Sequence, residues 1–209
     1  MFAGVPGLAA TLLCAIAFAL FTWQVLANGP LRRWDEAAGD ALRAAPPPRE
    51  AAELLADLGN LSVALPLLAL AMALTLRHSR GRDWWPVLCY ALAMGVMAPL
   101  VTGLKAWVDR TGPLGGGGFF PSGHAATTAV ALGAAALLLT GRLPALAVRA
   151  VWAAAAILTV GNGLGLVWRG YHWPLDVAAS WCLGVLLLAA ADAAARRGSP
   201  LSGRGLIRR

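Results

Sequence analysis

Three short stretches hold most of the side chains in this sequence that can do chemistry. They read KAWVDRTGP at 105–113, FPSGHAATT at 120–128 and GLVWRGYHWPLD at 165–176. In the last, His172 and Asp176 stand four residues apart, which on a helix is one turn on one face. Pro174 between them suits a first helical turn, where its missing N–H is no loss. An Asp that accepts a hydrogen bond from one imidazole nitrogen fixes the tautomer and leaves the other nitrogen as nucleophile or base. The plainer alternative is an interfacial pair flanked by the belt aromatics Tyr171 and Trp173. Against it, a carboxylate at the edge of hydrocarbon is costly and usually functional.

The middle stretch places Ser122 just before an apolar run of helical length. Ser is a good N-cap, and the free N–H groups of the turn after it make an anion site. His124 then sits in that first turn, beside whatever anion binds. A plain cap followed by an interfacial His explains the motif equally well when it is taken alone. The first stretch supplies cations: Lys105, the single Lys beside sixteen Arg, and Arg110 five residues later. Snorkelling anchors at a span end are the bland alternative for both. The Gly run 115–118 acts as a mobile lid or hinge before the next helix. Together these residues are an anion site with a nucleophile and a proton donor, for which a phosphate ester is the natural substrate. No Asp/Glu cluster suggests a metal, so the cations must neutralise the phosphate; no cofactor is expected.

The elements that position them are membrane spans. The chain has 209 residues, 59% hydrophobic and 13% charged, with mean hydropathy +0.67; a soluble domain is about one quarter charged. Spans are expected near 7–27, 60–76, 84–104, 123–140, 147–167 and 173–194. This is an all-α, six-span bundle formed by a single domain over residues 1–209. The first run lacks a basic n-region and is too long for a signal-peptide core. Residues 28–59 read as a polar outer loop carrying six of the ten acids, with REAAELLADLG after three prolines as a short amphipathic helix. Residues 196–209 form a basic cytoplasmic tail. Ten of the seventeen basic residues fall in the second-to-third loop, the fourth-to-fifth loop and the tail. By the positive-inside rule these are cytoplasmic, as are both termini, and the three reactive stretches share the outer face of the plasma membrane. The net charge of +7 is scattered as a topology signal, so nucleic acid is not an expected partner. Cys14, Cys89 and Cys182 lie in apolar runs and read as small buried hydrophobes. A homo-oligomer is left open.

In order and sidedness, KAWVDRTGP, PSGH and YHWPLD resemble the three motifs of the type 2 phosphatidic acid phosphatase family. Those motifs are Lys, six residues, then Arg-Pro; Pro-Ser-Gly-His; and Ser-Arg, five residues, His, three residues, Asp. The resemblance runs from about Leu58 to the end of the last span. It implies a six-span, metal-independent phosphatase acting on a membrane lipid phosphate or pyrophosphate at the extracytoplasmic face. It implies His172 as the nucleophile forming a phosphohistidine, Asp176 as its orienting partner and His124 as the acid for the leaving group. Lys105, Ser122 and the N–H of Gly123 would hold phosphate oxygens. Two of the three motifs depart from the pattern. Gly112 stands where the first motif has Arg, and Gly165-Leu166 where the third has Ser-Arg. The expectation is that Arg110 and Arg169 reach the same pocket from displaced positions. Two alternatives share this site: a lipid phosphotransferase with a hydroxyl acceptor, and a degenerate member that binds lipid phosphate with little turnover. A transporter would show broken spans at mid-membrane in paired halves, and the polar residues here cluster at one face instead. The family's soluble relatives, the vanadate-dependent haloperoxidases, do not suit so hydrophobic a chain.

Overall fold

The computed structural model describes residues 7–198, and all regular structure in them is α-helical. Eight helices follow in order: α1 (Leu8–Leu26), α2 (Pro30–Ala44), α3 (Arg49–Asp57), α4 (Leu61–His78), α5 (Trp84–Val108), α6 (Gly123–Thr140), α7 (Ala145–Trp168) and α8 (Pro174–Arg197). Six of these, α1 and α4–α8, are long and apolar enough to cross a membrane, at 18 to 25 residues each; a hydrocarbon core needs about 20. They match the six expected spans to within four residues at each end. The largest differences fall at the ends of α5 and α8: α5 continues four residues to Val108, so Lys105 lies in its last turn, and α8 continues three residues to Arg197. The chain is a multi-pass membrane protein.

The segment 28–59 departs further. The expected loop with one short helix contains two helices. Here α3 is the anticipated amphipathic piece, and α2 precedes it. The sequence of α2 suits a helix: Pro30 occupies its first turn, and Arg32 pairs with Glu36 one turn on at 2.7 Å. It is too polar to span, so it escapes a search for apolar runs. Its Asp35 and Gly39 are buried against the bundle, while Trp34 points outward.

The bundle is built around α6, the most buried of the six spans. It packs against α4, α5, α7 and α8. Small residues permit this approach: Ala126, Val130, Ala131 and Ala134 of α6 have no exposed surface. Close helix contact through small side chains replaces the hydrophobic drive that lipid cannot supply. A side chain at Gly163 would meet Val177 and Trp181 of α8, so α7 and α8 also depend on a small residue. The three cysteines are free thiols on α1, α5 and α8. Of the expected basic tail, Arg196 and Arg197 belong to the last turn of α8, and residues 199–209 lie outside the described residues.

Candidate active site

The three reactive stretches meet at one end of the bundle, as the span count requires. Helix α8 begins there with Pro174 in its first turn. Asp176 Oδ2 accepts the N–H of Trp173 at 3.0 Å, closing the open end of the helix. The same oxygen lies 3.3 Å from His172 Nδ1. One carboxylate therefore ends a helix and orients an imidazole. His172 Nε2 has no hydrogen-bond partner among the described residues, and the ring of Phe119 stands edge-on to the imidazole at 5.7 Å.

The other oxygen of Asp176 accepts from Arg110 NH1 at 2.7 Å. Arg110 NH2 reaches Asp35 Oδ2 at 2.5 Å and Glu36 Oε1 at 3.3 Å. Asp35 Oδ1 in turn accepts the N–H of Leu175 at 2.7 Å. Arg110 and Asp176 have fully buried side chains, and Asp35 is nearly so. Opposite charges so placed depend on one another, because either one left alone would be an uncompensated buried charge. Burial lowers the Arg110 guanidinium, but Asp176 and Asp35 outweigh it and raise it further, so it is a permanent cation. Burial raises the Asp35 carboxyl and wins over the pull of Arg110. Burial also pushes Glu36 up, but its hydrogen bonds from Arg32 and Arg110 hold it below the ordinary range.

Lys105, at the end of α5, donates to Gly118 O at 2.7 Å. The loop from 109 to 122 returns on itself: Gly112 N–H donates to Gly116 O at 3.1 Å, Gly115 N–H donates to Gly112 O at 3.1 Å, and Phe119 N–H donates to Arg110 O at 3.1 Å. Ser122 then caps α6, its Oγ accepting the N–H of Ala125 at 3.3 Å. Its own N–H donates to Asp176 O at 3.1 Å. Ser180 Oγ lies 2.8 Å from Ser122 O and 2.7 Å from Asp176 O, sharing its proton between them. These bonds hold the start of α6 against the start of α8. The N–H groups of Gly123 and His124 have no acceptor among the described residues, which leaves the α6 terminus able to receive an anion. His124 itself is exposed, with Nε2 at 2.9 Å from Asn60 Oδ1.

The two displaced arginines are each paired with carboxylates of the chain, on different elements. Three carboxylates engage Arg110, so it positions Asp176 instead of facing outward. Arg169 caps α7 and turns to α3, with Nε 2.6 Å from Glu53 Oε2. Tyr171 OH donates to Glu53 Oε1 at 2.9 Å beside it. The places of the absent motif residues are filled by the chain itself. A Cβ at Gly165 would fall 2.5 Å from Ala56 N of α3. Leu166 is buried in a cluster with Ala56, Ala125 and Val177. A Cβ at Gly112 would fall 2.5 Å from the Phe119 ring.

Sequence reasoning missed Asp35, Asn60, Phe119 and Ser180. The helical pattern from Pro30 was the available signal for Asp35; none pointed to the other three.

This fold and site fall in a known class. The family model described as the PAP2 superfamily matches residues 84–196, and the chain belongs to that family. A solved structure that it is similar to is a transmembrane PAP2-type phosphatidylglycerolphosphate phosphatase from Bacillus subtilis. The two superpose with a TM-score of 0.80 at 24% identity, over 91% of this chain and 98% of that one. A search of curated proteins returns no match.

Proposed function

We propose that this chain is a membrane phosphatase that hydrolyses a lipid phosphate or pyrophosphate through a phosphohistidine. The observation that carries this is the buried Asp176 holding His172 by Nδ1 and bonded through its carbonyl to Ser122, the residue before the free N–H groups of Gly123 and His124. Membership of the PAP2 superfamily supports it, as does the phosphatase activity named for the Bacillus subtilis relative. In this reading His172 Nε2 attacks phosphorus in line, and the bond to the lipid oxygen breaks. His124 protonates that oxygen as it leaves. Water, deprotonated by His124, then displaces the phosphate from His172. Lys105 and the N–H groups of Gly123 and His124 hold the phosphate oxygens, with Ser122 shaping the turn. No metal takes part. The site faces outward across the plasma membrane, with both termini in the cytoplasm, so the head group is met at the outer leaflet.

The test is phosphate release in detergent with chelator present, from phosphatidic acid, phosphatidylglycerol phosphate, undecaprenyl pyrophosphate and a polyprenyl-phosphoryl sugar phosphate. At least one is expected to release phosphate and to leave an acid-labile phosphoenzyme. His172→Ala is expected to abolish both. Release undiminished in that variant, or none from any lipid, overturns the reading. A second reading is favoured by the filled positions at 112 and 165–166: a member that binds lipid phosphate with little turnover. It requires saturable binding of the same lipids without release. Transfer to a lipid or sugar hydroxyl would appear as a new phosphoester product in place of free phosphate.

A further inference from the structure

We propose that Asn60 is a positioning residue that sets which nitrogen of His124 faces the substrate. The kinetic part of this rests on the phosphatase reading; the tautomer does not. Asn60 sits at the corner between α3 and α4, one residue before Leu61. Its Oδ1 lies 2.9 Å from His124 Nε2, and its Nδ2 donates to Asp57 Oδ1 at 2.9 Å. The second bond fixes the direction of the first. An ionised carboxylate only accepts, so the amide NH₂ must face Asp57 and the carbonyl must face the imidazole. Nε2 of His124 therefore carries the hydrogen. The exchangeable proton, and in the neutral ring the lone pair, belongs to Nδ1.

The corner is built to make this contact. Gly59 is buried, and a Cβ there would fall 2.6 Å from His124 Cβ and 2.7 Å from His124 O. Only a residue without a side chain lets the turn come so close to the start of α6. Asn60 N–H donates to Asp57 O at 2.9 Å, closing the turn. The two histidines are thus held at opposite nitrogens: His172 by Nδ1 on Asp176, His124 by Nε2 on Asn60. The chemistry accounts for the different partners. A carboxylate suits the ring that must become the more nucleophilic. A neutral amide orients the other ring without adding negative charge beside an anionic substrate.

The experiment is ¹⁵N-imidazole NMR of the full chain in detergent at neutral pH, with His124→Gln to assign one of the three histidines, alongside lipid phosphate kinetics. The wild type is expected to show His124 as the Nε2–H tautomer. Asn60→Leu should lose that preference and lower kcat roughly 10- to 100-fold, within the range a positioned general acid supplies. KM should stay within about 2-fold, because no substrate contact is removed. Asn60→Asp combined with Asp57→Asn keeps an acceptor toward His124 and a donor–acceptor pair at the corner, and should restore the tautomer. Should Asn60→Leu fail to fold, Asp57→Asn, which frees the amide to turn, should mix the tautomers and lower kcat more mildly. A wild-type Nδ1–H tautomer overturns the proposal, and so does a wild-type kcat in a folded Asn60→Leu variant. If the wild type releases no phosphate yet shows the Nε2–H tautomer, the phosphatase reading falls and the assignment of Asn60 stands.

Discussion

Arg110 is the residue on which the site's order turns. It lies between Asp176 and Asp35 with no exposed side-chain surface. Arg110→Ala would strand both carboxylates and is expected to cost about 3–5 kcal/mol, read as a lower apparent melting temperature in detergent. Asp35→Asn should cost less, because Arg110 keeps its pair with Asp176 and the single amide oxygen still accepts from Leu175 N–H. Acidity adds a further distinction. Asp35 is raised in the fold, so its contribution is full below its unfolded pKa and is lost as pH rises through the folded one. Glu36 is lowered, so its contribution is present above its unfolded pKa and is lost as pH falls through the folded one. The two oppose, and Glu36→Gln should remove the share of acid destabilisation that a melting series across mildly acid pH detects. For catalysis, Asp176→Asn leaves the geometry but offers the wrong group to His172. A loss of about 10³- to 10⁴-fold in kcat is expected, by comparison with Asp–His pairs elsewhere.

At the scale of elements, α2 and α3 decide what the spans alone do not. Helix α2 brings Asp35 to the root of α8, and α3 seals the groove along α7. The second contact is tight enough that Gly165 cannot carry a side chain without moving backbone. Gly165→Ser is expected to destabilise by about 1–3 kcal/mol through overpacking, seen as a lower melting temperature. The pair Gly165→Ser and Leu166→Arg restores the sequence pattern of the third motif, yet it should reduce folding yield in size-exclusion profiles, because α3 occupies that space. Asn162 strengthens the same seam, its Nδ2 donating to Leu55 O at 3.0 Å and Ala56 O at 2.9 Å.

At the scale of the whole molecule, each span crosses once, so the alternate connections 28–59, 105–122 and 168–173 share one end. The orientation of that end is a proposal from charge counting. Membrane-impermeant maleimide tests it on intact cells: Leu114→Cys, in a well-exposed loop, should label from outside, and Arg82→Cys only after permeabilisation. The reverse pattern would place the site inside.

How much of this was legible followed the range of the interactions. The spans were readable because lipid demands long apolar runs, and those runs are local in sequence. The pairing of His172 with Asp176 was readable because one turn of one helix joins them. The cap at Ser122 was equally local. Arg110 was visible as a cation but not as the partner of Asp35, 75 residues away. Asn60 and His124, 64 residues apart, met only through the corner at Gly59. Sequence by itself determined the six spans, their shared polar end and the chemistry available there. Tertiary packing decided which cation faces a carboxylate and which histidine nitrogen stays open, because those depend on contacts between elements that no periodicity records.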